Sequence, residues 1–132
     1  MWESLAAFPF YFLENKLISF QLYFTLSINY SSINFVINDL EIDTTAKRVW
    51  RGGREIFLTT KEYTLLEYLV RENGKVVGRA EISEHVWDEN FDVSSNLIEV
   101  YIKRLRSKMD EGFSVRLIHT RRGAGYILES NV

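Results

Sequence analysis

Ser95-Asn-Leu-Ile-Glu-Val-Tyr-Ile-Lys-Arg-Leu-Arg-Ser-Lys-Met109 is the stretch on which the fold turns. Ile98, Ile102, Leu105 and Met109 recur at helical spacing, so one stripe of a helix faces a core. Asn96, Glu99, Val100, Lys103, Arg104 and Arg106 fall mostly on the other faces. Ser94 or Ser95 is the expected cap, because a serine hydroxyl accepts from the free amides of a first helical turn. The helix is expected to run from about residue 95 to Met109.

Charge separates this end of the chain from the rest. The formal net charge of the 132 residues is -2, which alone argues against a partner made of phosphates. From Tyr101 to Arg122, however, seven basic residues face only Asp110 and Glu111, whereas Val36 to Val100 carries eight basic and thirteen acidic residues. A positive face on an otherwise acidic domain is therefore open, alongside the plainer reading of solvated helix charges.

Working outward from the helix, Val115 to Leu128 alternates around Gly123-Ala124-Gly125 and reads as a closing β-hairpin. Upstream, Asp88 to Val93 reads as a loop, and Arg79 to Trp87 as a short helix with Ile82 and Val86 on one face. Before it, Thr59 and Glu62 form a capping box that starts a helix. That helix runs to about Glu72, buries Tyr63, Leu66, Leu69 and Val70, and stops at Asn73-Gly74. Leu40, Ile42, Val49, Ile56 and Leu58 alternate with polar residues as half-buried strands do, with Gly52-Gly53 as a two-residue hairpin turn. The expected fold class is α+β: an N-terminal antiparallel sheet, three helices and a C-terminal hairpin, the outline of a winged helix-turn-helix.

Residues 1–34 differ in kind. Ten of the nineteen aromatics lie within the first 35 residues, and only Glu3, Glu14 and Lys16 are charged in that leader. Glu14-Asn15-Lys16 interrupts its apolar run and leaves twelve residues from Leu17 to Ile28, short of the roughly 20 that span a bilayer. A basic start and a cleavage site of small residues, which an export signal needs, are missing. Two readings stand: the product of a damaged or misassigned gene start, or a β-rich segment that mediates association. The domain division expected is 1–34 and 35–130.

With no cysteine, disulfides and thiolate-bound metals are excluded. No glycine-rich phosphate loop or catalytic triad is evident, so no enzyme and no cofactor are expected. His85 and His119 lie far apart in the chain and are not expected to bind metal.

Several motifs occur in order: Leu58-Thr-Thr-Lys-Glu62-Tyr-Thr-Leu-Leu66, Val86-Trp87, Val100-Tyr-Ile-Lys-Arg-Leu-Arg-Ser-Lys108 and Ile118-His-Thr-Arg-Arg-Gly-Ala-Gly-Tyr126. Together they resemble the effector domain of OmpR/PhoB-type response regulators over about Phe35 to Glu129. Trp87-Asp-Glu-Asn-Phe91-Asp and Leu117-Ile-His-Thr120 are most similar to the copper- and heavy-metal-responsive branch. The resemblance implies a bacterial, cytoplasmic regulator of transcription in a two-component phosphorelay. It would bind double-stranded promoter DNA, head to tail on direct repeats.

By the same resemblance, Glu99, Val100 and Arg104 would meet base edges. Trp87, Asn96, Tyr101, Lys103, Arg106, Thr120 and Tyr126 would meet phosphates, and Arg122 on the wing would enter the minor groove. Trp87 and Tyr126 also have a simpler reading as core side chains. The loop with Asp88, Glu89 and Asp92 matches a segment that meets RNA polymerase in some relatives. Arg121 stands where the family usually has an apolar residue, which questions the pairing of the wing. Nothing in residues 1–34 resembles the family's receiver domain. A chain complete as given is thus expected to escape phosphorylation control and to bind weakly, as a monomer or a weak head-to-tail dimer. The alternative function is a protein-interaction module of the same fold with vestigial DNA binding.

Overall fold

The computed structural model describes residues 33–87 and 96–130, and the compact unit that carries the fold is Phe35–Val132. Residues 1–32 of the aromatic segment and the Asp88 to Val93 loop, with Asp88, Glu89 and Asp92, lie outside the described residues, as do Ser94 and Ser95.

Four short strands come first: β1 (Phe35–Ile37), β2 (Leu40–Asp43), β3 (Arg48–Arg51) and β4 (Arg54–Ile56). They form an antiparallel sheet in chain order. Its register aligns Phe35, Ile42, Val49 and Ile56 across one face, and Val36, Glu41, Trp50 and Glu55 across the other. The apolar side therefore closes on the core, where Leu40, Ile42 and Val49 are buried. Gly52 and Gly53, with φ of +57° and +81°, make the expected turn between β3 and β4. Leu58 departs from expectation. β4 ends at Ile56, because Thr59, close behind it, must take the extended conformation of a helix cap.

Helix α1 (Thr60–Arg71) begins with the capping box: the Glu62 amide donates to Thr59 Oγ1 at 3.2 Å and the Thr59 amide to Glu62 Oε1 at 2.9 Å. Helix α2 (Arg79–Val86) buries Ile82 and Val86 and ends one residue earlier than expected, with Trp87 as its extended cap. Helix α3 spans Leu97–Met109, and Ile98, Ile102, Leu105 and Met109 are all at most 1% exposed. Burial on that scale stabilises by about 2 kcal/mol for each such side chain. Its N-cap is Asn96, with no side-chain capping bond, not Ser94 or Ser95. A cap must stand next to the first helical residue, and here that residue is Leu97.

The closing hairpin is β5 (Ile118–Arg121) and β6 (Gly125–Leu128). It starts at Ile118 rather than Val115, because the amides of Leu117 and Ile118 donate to the Asp110 carboxylate, each at 3.1 Å. Arg121 pairs opposite Gly125 in an unbroken register and its guanidinium bonds Glu129, so a cation at this position leaves the wing intact. Val77 and Tyr126 exchange backbone hydrogen bonds of 2.8 and 2.9 Å, docking the hairpin beside the start of α2. Among the described residues no helix is long and apolar enough to cross a membrane.

Candidate nucleic-acid interface

Helix α3 is exposed on the side away from its apolar stripe. Asn96, Val100 and Arg104 recur every four residues and share one line along it; Asn96 and Arg104 are exposed and Val100 is half-buried. Lys103 is exposed on the adjoining line, one turn beyond Glu99. Arg122 is exposed at the turn between β5 and β6. Among the described residues no ion pair engages Lys103, Arg104 or Arg122.

The remaining candidates are partly committed to the protein. Trp87 packs against the core, and its ring meets Tyr101 edge-on at 5.3 Å. Tyr101 in turn lies under the Arg104 guanidinium at 5.0 Å, which steadies a long cationic side chain against a flat support. Lys61 donates to Val86 O at 2.9 Å and stands over the Trp87 ring. Arg106 donates to Ile118 O at 3.2 Å and to Thr120 Oγ1 at 2.5 Å, tying α3 to the first strand of the wing. Thr120 remains exposed, whereas Tyr126 is 8% exposed, which favours the core reading of its ring.

Glu99 is held by its surroundings. Arg79, the first residue of α2, donates from Nε to Oε2 at 2.6 Å and from a terminal nitrogen to Oε1 at 3.3 Å. The hydrogen bond from Arg79 holds the Glu99 carboxyl below the usual carboxylate range, with the Tyr126 hydroxyl a further donor. Burial, reinforced by the nearby Glu99 charge, raises the Tyr126 phenol above its ordinary value. Arg79, Thr120, Arg121 and Gly123 to Tyr126 line an open groove of about 390 Å³ beneath the wing.

Three supports of α3 are not legible in the local pattern: the Arg79 clamp, Lys108 and Arg51. Lys108 reaches across to Glu62 Oε1 at 2.7 Å, joining α3 to the cap of α1. Arg51 is fully buried on the inner face of the sheet. It donates to Asp39 at 2.8 Å, to Asp110 at 3.1 Å, to Val115 O at 2.8 Å and to Met109 O. A hairpin-flanking arginine reads locally as a solvated charge, and its partners lie up to 64 residues away. Among the described residues no group of three His, Asp or Glu side chains could hold a metal; His85 stacks on Tyr68 instead.

The family described as "Transcriptional regulatory protein, C terminal" matches residues 53–128. The chain belongs to this family. Among curated members, it is 50% identical over 93 residues to the transcriptional regulatory protein PcoR of Escherichia coli, covering 70% of this chain and 41% of that one. With the transcriptional regulatory protein CusR of Escherichia coli K12 the identity is 48% over 95 residues, covering 72% and 42%. The chain thus spans about two fifths of the length of these relatives. The DNA-binding domain of CpxR from E. coli superposes with a TM-score of 0.65 at 27% identity, over 74% of this chain and 97% of that one. The Klebsiella pneumoniae RstA DNA-binding domain shares the fold, with a TM-score of 0.66 at 24% identity, over 74% and 97%. The order of sheet, three helices and closing hairpin is that of a winged helix, as the likeness to the CpxR DNA-binding domain bears out.

Proposed function

We propose that residues 35–130 are a sequence-specific binder of double-stranded promoter DNA, the output domain of a two-component regulator of transcription, with residues 1–34 a separate segment. The observation that carries this reading is the exposed side of α3 that carries Lys103 and Arg104, with Arg122 exposed at the turn of the wing. Helix α3 enters the major groove, whose width admits one helix, and Arg122 enters the adjacent minor groove. The family membership and the likeness to the CpxR DNA-binding domain support it.

In this reading Glu99, Val100 and Arg104 face base edges. Arg104 takes guanine by two parallel hydrogen bonds, and Val100 packs on a thymine methyl. Trp87, Asn96, Tyr101, Lys103, Arg106, Thr120 and Tyr126 border the phosphates and fix register rather than sequence. The domain acts in the cytoplasm, on direct repeats, as a monomer or a weak head-to-tail pair. The loop with Asp88, Glu89 and Asp92 offers acidic side chains to RNA polymerase.

Arg104→Ala and Lys103→Ala separate the two kinds of contact. In binding selections from random duplexes, Arg104→Ala is expected to relax preference at one base position. Lys103→Ala is expected to weaken all sequences alike by severalfold. Equal loss on every sequence for both variants would remove Arg104 from the base-reading set.

A further inference from the structure

The clamp on Glu99 has a consequence for which bases α3 accepts. Glu99 lies on the first turn of α3 with its side chain 42% exposed, and Arg79 reaches it from α2, twenty residues earlier in the chain. Two hydrogen bonds from one planar guanidinium fix both the position and the plane of a carboxylate, which a single bond from a lysine would not. An unclamped glutamate at this place would be free among rotamers and would turn from approaching phosphates. Held, it keeps the lone pairs that Arg79 does not use at a set point on the first turn of α3.

A fixed acceptor discriminates among base edges in the major groove. Cytosine and adenine offer amino donors there, whereas the groups that guanine and the thymine keto oxygen offer are acceptors. The carboxylate therefore attracts the first pair and repels the second. Resting on the DNA-binding reading above, we propose that Arg79 is a specificity-determining positioning residue: by clamping Glu99 it restricts one base of the site to those that offer an amino group in the major groove. Arg79 need not touch a base itself. Its guanidinium also offsets the Glu99 charge next to the phosphates, so the carboxylate is tolerated on a surface that must approach a polyanion.

The test is a binding selection from a random duplex pool with the full chain, run on the unmutated protein and on Arg79→Ala, Arg79→Lys and Glu99→Ala, each checked for folding by circular dichroism. The unmutated protein is expected to prefer cytosine or adenine at one position by roughly fivefold or more. In Glu99→Ala, which removes the acceptor, and in Arg79→Ala that preference falls to about twofold or less at the same position, while the preference set by Arg104 persists. Arg79→Lys keeps the charge but not the fork, and is expected to recover only part of it. If Arg79→Ala lowers affinity for every sequence equally and leaves the base preferences as they were, the inference fails and Arg79 is a phosphate contact. The absence of any amino-base preference that depends on Glu99 overturns it equally. Failure of the unmutated protein to select any sequence overturns the DNA-binding reading itself, a result distinct from the other two.

Discussion

Gly125 has a φ of +142°, and a Cβ built on it would stand 2.0 Å from the Val77 carbonyl oxygen and 2.7 Å from its carbon. That contact is backbone on backbone, at the bridge that docks the wing, so nothing flexible can give way. Gly125→Ala is expected to destabilise the domain by about 2–4 kcal/mol. Gly53→Ala, at φ +81° with open space around it, should cost only about 1 kcal/mol. Urea unfolding of the two variants checks the ranking, and equal losses would contradict it. Arg51 makes a different case. It holds the sheet, the end of α3 and the approach to the wing at once, so Arg51→Ala leaves the Asp110 carboxylate buried without its cation. A loss of about 3–5 kcal/mol is expected in the same assay. The glycine turn was readable because positive φ selects the residue type locally. The arginine was not, because its role lies in partners brought from distant segments.

At the scale of the element, α3 is fixed along its length by side chains from other elements rather than by its own cap. Lys108 bonds Glu62, Arg106 bonds Thr120, and Asp110 closes the far end. Burial pushes the Glu62 carboxyl up, but the hydrogen bonds from Lys108 and Thr59 and the Lys108 charge outweigh it, and the net effect is a value below the ordinary 4.5. A carboxyl lowered on folding stabilises fully above its unfolded value, and that contribution is lost as pH falls through the folded one. The melting temperature is therefore expected to drop as the solution is taken below about pH 4.5, the ordinary Glu value. In Lys108→Ala the acid-sensitive part should shrink, with about 1–2 kcal/mol lost at neutral pH. Thermal melts across pH 3–7 (roughly the span around the ordinary carboxylate range) measure both. An unchanged acid profile in the variant would show that the Lys108 bond does not hold Glu62. The existence and apolar faces of the helices followed from periodicity, since Ile98, Ile102, Leu105 and Met109 are one stripe and are all buried. The cap at Asn96 was missed because two serines just before it satisfy the same compositional rule, and only backbone geometry decides which residue adjoins the first turn.

For the molecule as a whole, the modest net charge of -2 conceals a set of exposed cations on α3 and the wing. Lys103, Arg104 and Arg122 are exposed there, while the acidic residues of the sheet and the first two helices lie elsewhere in the chain or are paired, as Glu67 is with Arg71 and Glu55 with Arg48. Order of elements made the fold legible, and local charge singled out the interface proposed above; the clamp on Glu99 required a three-dimensional contact. The most direct measurement is the affinity of the domain for a duplex selected from a random pool, taken across a range of salt concentrations. Each phosphate neutralised by an exposed cation releases counterions and adds about -0.9 to the slope of log affinity against log salt. A slope of about -3 or steeper is expected, made shallower by about one in Lys103→Ala. Affinity independent of salt, or no binding to any duplex, would contradict the DNA-binding reading.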